Sequence, residues 1–176
     1  MRQHSRKSDS THDSVNSSSL KHDLQQLRLL LEKISQTHGL AKEEVLDMVE
    51  YEIPVSIYTK KLSPLETSVK YLKENLNLGF PRIAELLGRS RKTVWQAYAN
   101  AAKKVSRPFK VKDTRYKVPI SVLNSETKLS VLEATVKFVK EEYGLTYRDI
   151  GQLIQRDERT IWTVYQRALK KGDTKR

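Results

Sequence analysis

Residues 145–171 read LTYRDIGQLIQRDERTIWTVYQRALKK, and an earlier stretch, residues 78–104, reads LGFPRIAELLGRSRKTVWQAYANAAKK. Setting Ile83 against Ile150, a displacement of 67 residues, also pairs Leu86 with Leu153, Thr93 with Thr160, Trp95 with Trp162, Tyr98 with Tyr165 and Ala101 with Ala168. So many matches at one displacement make the chain a tandem repeat, and its function should be a property of that unit.

Each stretch has the internal logic of a helix-turn-helix. In the first, Ile83, Leu86 and Leu87 form the packing face of a short helix, and the small Ala84 lets the next helix approach. Gly88 suits a left-handed turn position, and Ser90 can cap the recognition helix that follows. The second copy offers Ile150, Leu153 and Ile154, with Gly151 as the small residue and Asp157 as the cap. Gln155 stands in place of the turn glycine, at a small cost in strain.

Helical geometry then assigns faces, at about 100° per residue. Val94, Ala97, Tyr98 and Ala101 make the inward stripe of the first recognition helix, so Lys92, Gln96, Ala99 and Lys103 point the other way. In the second, Ile161, Val164, Tyr165 and Ala168 point inward, leaving Arg159, Thr163, Gln166 and Lys170 outward. Glutamine can pair with adenine, arginine or lysine with guanine, and a threonine or alanine methyl can touch thymine. Arg89, Ser90 and Arg91, at the helix start, lie where amides and positive charge favour phosphate. Thr93, Asn100 and Thr160 complete the candidate DNA-contacting set. The second copy is less favourable at its start, where Asp157 is used as the cap and Glu158 is placed to pair with Arg148 or accept from a cytosine amino group. The first copy therefore ranks as the stronger DNA binder. Trp95 and Trp162 lie beside the inward stripe and read as lids over the core edge or as an interface between units.

Outward from these stretches, each repeat carries a preceding helix with a strong start signal, Ser63-Pro64-Leu65-Glu66 and Ser130-Val131-Leu132-Glu133. Its inward stripe is Leu65, Val69, Leu72 and Leu76 in one copy and Leu132, Val136, Val139 and Tyr143 in the other. Ahead of it, IPVSIY (53–58) and VPISVL (118–123) alternate β-branched residues as short strands do, while Pro54 and Pro119 confine them to an edge or a first position. Two such strands, related by the repeat, can pair as a ribbon.

The organisation that follows is a disordered tail (1–17), a helical hairpin or short coiled coil (18–51), helix-turn-helix unit 1 (52–105), a basic linker (106–115) and helix-turn-helix unit 2 (116–172). In the second of these, Leu20, Leu24, Leu27, Leu31 and Ile34 follow the a/d rhythm of a coiled-coil seam, which fits either a homodimer through residues 20–34 or a hairpin packed on the repeats. A second short helix over residues 41–51 puts Leu46 and Val49 on one side. The linker and its flanks hold Lys103, Lys104, Arg107, Lys110, Lys112, Arg115 and Lys117 against Asp113 alone, a candidate phosphate contact or a solvated connector.

Bulk properties narrow the classes. The 176 residues carry 33 Lys plus Arg against 21 Asp plus Glu, a net charge of +12, which favours a polyanionic partner such as nucleic acid. There is no cysteine, so disulfides, thiolate metal sites and a cysteine nucleophile are excluded. All four histidines precede the repeats, His4 and His12 in the tail reading as solvated residues, and neither a metal nor a cofactor is expected. No apolar run approaches the roughly 20 residues that span a bilayer, so no membrane partner is expected and the address is cytoplasmic, on the nucleoid. Without a clustered set of carboxylates, a histidine in the repeats or a Gly-rich phosphate loop, the chain does not read as an enzyme.

The module resembles the fourth region of bacterial sigma factors, the helix-turn-helix that reads the upstream promoter element. LTYRDIGQLI and RDERTIWTVYQRALKK match that family's L-T-x-x-E-I-G-x-x-L, capped R-T-[IV] and terminal R-A-x-x-K, with Asp149 where the family has glutamate. The likeness covers about 40 residues of each repeat, and no counterpart of the other sigma regions is present. It implies a DNA-reading module and not a complete sigma factor; contact with RNA polymerase or a regulator belongs to the adaptor alternative below. The expectation is an all-α protein that binds double-stranded DNA through two trihelical units and regulates transcription. An architectural nucleoid protein and a protein-interaction adaptor for the transcription machinery are the alternatives.

Overall fold

The caps marked in the sequence are helix starts in the computed structural model, which describes residues 12–47, 50–124 and 128–173. Among the described residues lie eight α-helices and one two-stranded sheet, so the fold is all-α with a short β-ribbon. The chain divides into two compact units, Met1–Val49 and Glu50–Arg176.

The first unit is a helical hairpin of α1 (His12–His38) and α2 (Lys42–Asp47). Gly39 turns the chain at a φ of +66°, where the Ser35 hydroxyl donates to the Leu40 carbonyl at 2.6 Å and Lys42 pairs with Glu32 at 3.0 Å. Three expectations change here. Of the tail expected over residues 1–17, residues 1–11 lie outside the described residues, and the helix begins at His12 rather than at residue 18. Propagating a nucleated helix costs far less than starting one, so the seam carries its helix back into polar sequence. The second helix is described over Lys42–Asp47, with Val45 buried and Leu46 exposed; Met48 and Val49 lie outside the described residues, and Glu50 and Tyr51 are not helical. Tyr51 leaves the helical path because its carbonyl accepts from the Ile120 amide at 2.9 Å.

The second unit is built around β1 (Glu52–Pro54) and β2 (Lys117–Pro119), which pair antiparallel with Ile53 opposite Val118. Alternation suggested longer strands, but each ends at its proline and the chain continues as one 3-10 turn, Val55–Ile57 and Ile120–Leu123. Pro54 and Pro119 occupy non-hydrogen-bonded positions of the ladder, where no amide is required of them, and the last ladder bonds come from the Val55 and Ile120 amides just beyond, before the chain turns. The buried Ile53, Val55 and Ile57 therefore point into the core from a turn rather than from one strand face.

Each ribbon strand leads into three helices: α3 (Pro64–Glu74), α4 (Phe80–Leu86) and α5 (Arg91–Lys104), then α6 (Val131–Glu142), α7 (Tyr147–Leu153) and α8 (Glu158–Asp173). Ser63 and Ser130 each close a capping box with the glutamate three residues on. Val69, Leu72, Val136 and Val139 are fully buried, and one continuous apolar core draws on both modules, with α3 packed against α6. Tyr143 is not part of that stripe. It caps α6, is 38% exposed, and its hydroxyl donates to the Lys117 carbonyl at 2.9 Å.

The repeat extends to polar detail. Lys104 pairs with Glu66 at 2.8 Å, and its equivalent Lys171 pairs with Glu133 at 2.7 Å. The Tyr98 hydroxyl donates to Glu74 at 3.2 Å and the Tyr165 hydroxyl to Glu141 at 3.3 Å. Lys73 lies over the Phe80 ring at 5.2 Å and Lys140 over Tyr147 at 5.0 Å. One difference stands out: Lys70 is fully buried and held by Glu74 at 2.6 Å, whereas its counterpart Lys137 is half-buried. A buried ammonium is tolerated only when it is paired in this way.

Both helix-turn-helix turns are left-handed at equivalent residues, Gly88 at φ +59° and Gln155 at φ +55°. In each, the amide after the left-handed residue reaches back to the helix: Arg89 to the Ala84 carbonyl at 2.9 Å, Arg156 to the Gly151 carbonyl at 2.8 Å. A Cβ on Gly151 would lie 2.5 Å from the Arg156 carbonyl oxygen, which is backbone and cannot rotate away. Opposite outcomes are therefore expected at two neighbouring positions. Gly151→Ala should lower unfolding free energy by about 2 kcal/mol or more through overpacking. Gln155→Gly should raise it by about 1 kcal/mol by relieving the left-handed strain. Urea unfolding of the two variants checks both signs.

Candidate nucleic-acid interface

The outer faces of α5 and α8 are where sequence geometry placed the DNA contacts. Val94, Ala97 and Ala101, with Ile161, Val164 and Ala168, are buried, and Tyr98 and Tyr165 are half-buried, which fixes the opposite side of each helix outward. Arg91, Lys92, Gln96 and Lys103 are exposed on α5, and Arg159 and Lys170 on α8. Asn100, Thr163 and Gln166 are half-buried at the margins.

Several of the polar candidates are occupied by the helices themselves. The Ser90 hydroxyl accepts from the Thr93 amide at 3.1 Å and lies 2.8 Å from the Thr93 hydroxyl. Asp157 accepts from the Thr160 amide at 2.8 Å and from its hydroxyl at 2.6 Å. Thr163 donates to the Arg159 carbonyl at 2.9 Å, leaving its methyl as the group to offer a base. Gln96 donates to Asn100 at 3.0 Å, an exposed pair one helical turn apart that presents one amide donor and one acceptor edge together. Arg89 is half-buried, and its Nε is enclosed without a hydrogen-bond partner.

Trp95 and Trp162 depart from the sequence reading. They are 56% and 51% exposed at equivalent positions one turn into each recognition helix, and so they do not close the core. Each flanks the polar outer face, where an indole can stack on sugar or contact a thymine methyl. The helical wheel located them at the edge of the stripe, and only their exposure shows on which side of that edge they fall.

Comparison with protein-family models, with curated proteins and with solved structures finds no match. The assignment of this surface therefore rests on its geometry and chemistry.

The linker is neither a loose connector nor wholly available to phosphate. Phe109 is strapped to the end of α3 by reciprocal bonds with Asn75, at 2.9 and 3.2 Å, and the Asp113 carbonyl accepts from Ser56 at 2.6 Å. Arg115 grips Asp113, whose carboxyl that guanidinium lowers to about 2, and Lys117 pairs with Glu52 at 2.9 Å. Arg107, Lys110 and Lys112 are exposed.

Sequence reasoning also missed Lys60. The Thr160 hydroxyl and amide hold the Asp157 carboxyl below its ordinary range, and the Lys60 ammonium adds to that effect from the other module. Lys60 thus brings positive charge to the start of α8, the end that its own sequence leaves acidic. The signal was unreadable locally, because residues 60 and 157 lie in different modules.

The two lysine–glutamate ties anchor the far ends of the recognition helices, and they titrate. Burial alone would raise the carboxyls of Glu66 and Glu133, but Lys104 with Ser63 and Lys171 with Ser130 outweigh it and hold both below the ordinary value of 4.5. A depressed carboxyl contributes stability above its unfolded-state value and loses it as pH falls toward the folded one. The protein should therefore lose stability as pH drops below 4.5. Glu66→Gln with Glu133→Gln should cost about 0.5–2 kcal/mol at pH 7, the scale of two half-exposed ion pairs, since glutamine preserves the capping boxes. Below the same pH the double variant should show the shallower decline, which denaturation across the acid range measures.

Proposed function

We propose that the chain binds double-stranded DNA through α5 and α8 and regulates transcription. The observation that carries this reading is the pair of equivalent helix-turn-helix turns, each followed by a recognition helix with an outward face of basic and amide side chains and an exposed tryptophan. The net charge of +12 supports it, as does the resemblance of residues 145–171 to the fourth region of sigma factors. Contact with RNA polymerase or a regulator belongs to the adaptor alternative, and the site of action is the nucleoid. Among the described residues no helix is long and apolar enough to cross a membrane.

Binding to a selected duplex should weaken steeply as salt rises, because neutralised phosphates release counterions. Lys92→Ala with Gln96→Ala should change base preference by about 1–3 kcal/mol at the positions those residues read. Selection from random duplexes at two salt concentrations measures both effects. A strong salt dependence with no base preference would make the chain an architectural nucleoid protein. Binding to no duplex at all would leave the adaptor reading.

A separate observation favours self-association. Leu20, Leu24 and Leu27 are 57%, 55% and 48% exposed along one a/d seam of α1. A heptad seam is complementary to a second copy of itself, which makes that copy its proposed partner. Leu24→Lys with Leu27→Lys should convert a dimer to a monomer in sedimentation equilibrium without altering the helix-turn-helix modules.

A further inference from the structure

The ribbon does more than join two modules. Its three pairs place Glu52 opposite Pro119, Ile53 opposite Val118 and Pro54 opposite Lys117; the central pair joins repeat-equivalent residues, and the outer two are exchanged by reversing direction about it. The flanking bonds are reciprocal in the same sense: the Val55 amide donates to the Tyr116 carbonyl at 2.9 Å, and the Ile120 amide donates to the Tyr51 carbonyl at 2.9 Å. An antiparallel pair of equivalent residues has a local two-fold axis through its centre, here between Ile53 and Val118. Helix α3 packs on its own counterpart α6, as that axis requires. The segments after the strands also exchange sides. The Asn124 side-chain amide donates to the Leu86 carbonyl at the end of α4, at 3.2 Å, and the Lys60 ammonium acts electrostatically on Asp157 ahead of α8. A simple tandem array would stack its units by translation; this chain relates them by rotation.

Resting on the reading of α5 and α8 as DNA-recognition helices, we propose that one chain is an intramolecular pseudo-dimer that reads an imperfect inverted repeat. A duplex has two-fold axes perpendicular to its length, so two recognition helices related by a two-fold meet half-sites of opposite strand orientation. The sequences of the helices set the imperfection. Arg91, Lys92 and Gln96 in α5 stand where α8 has Glu158, Arg159 and Thr163. The half-sites therefore share their outline and differ in the bases contacted at the Lys92/Arg159 and Gln96/Thr163 positions. The helix start with Arg91 adds positive charge toward phosphate, and the one with Glu158 relies on Arg159 and Lys60. The half-site under α5 is the tighter of the two.

The test uses the full chain and a site obtained by selection from random duplexes, measured by fluorescence anisotropy and by titration to the stoichiometric point. Two half-sites in inverted orientation should bind one chain per duplex, even if α1 pairs two chains. Reversing one half-site to make a direct repeat, or inserting about half a helical turn between the halves, should each weaken binding tenfold or more. A single half-site should bind on the order of a hundredfold more weakly, because the second contact is held at high effective concentration. Lys92→Ala with Gln96→Ala should relax base preference in one half-site and leave the other unchanged. Equal affinity for direct and inverted repeats, or two chains on one inverted repeat, overturns the pseudo-dimer while leaving DNA binding intact. Failure to bind any duplex removes both.

Discussion

Two short strands, each ending at a proline, hold this protein together. A two-stranded ribbon is marginal by itself in water. It persists here because Ile53, Val55, Val118 and Ile120 are essentially sealed from solvent and seat the ribbon in the core both modules share. Each strand also satisfies backbone groups that the other would leave orphaned, through the 51–120 and 55–116 bonds. The relation between α5 and α8, and the influence of Lys60 on Asp157, both descend from that pairing.

The modules follow a different economy, in which local chemistry decides almost everything. Serine caps with glutamate three residues on start α3 and α6, a left-handed residue ends α4 and α7, and a second cap starts each recognition helix. These signals act over a few residues, which is why both trihelical units and their inward stripes were legible in the sequence. The ribbon was legible too, as two proline-bearing alternations related by the repeat.

What could not be read was anything set by distance along the chain. Strand length was set by the 3-10 turns that follow the prolines, and Tyr51, expected at the end of the helix over residues 41–51, is held instead by its bond with Ile120. Trp95 and Trp162 lie where a helical wheel is ambiguous, about a third of a turn from the buried centre, so small differences in packing decide their exposure. Arg89 was read from its place at a helix start, which gave no sign that its Nε would be enclosed. Lys70 gave no sign that it would be buried, because its partner Glu74 and the Tyr98 hydroxyl form the pocket only after α3 and α5 pack. Of the candidate DNA-contacting residues, the exposed basic ones followed from periodicity alone, whereas the threonines proved to be engaged in their own helices.

The same reciprocal strands bear on how the chain reaches its native state. Helical modules form from contacts close in sequence, while the ribbon joins residues 53 and 118. Closing a loop of that length costs about 4 kcal/mol in chain entropy. Three ladder positions return little of that until the shared core is in place, so pairing must come late and together with the docking of α3 on α6. A nascent first module therefore waits with an unpaired strand until its twin emerges. In that interval the free edge fits an equivalent strand on any neighbouring chain equally well, so strand exchange between molecules is the characteristic hazard of this design.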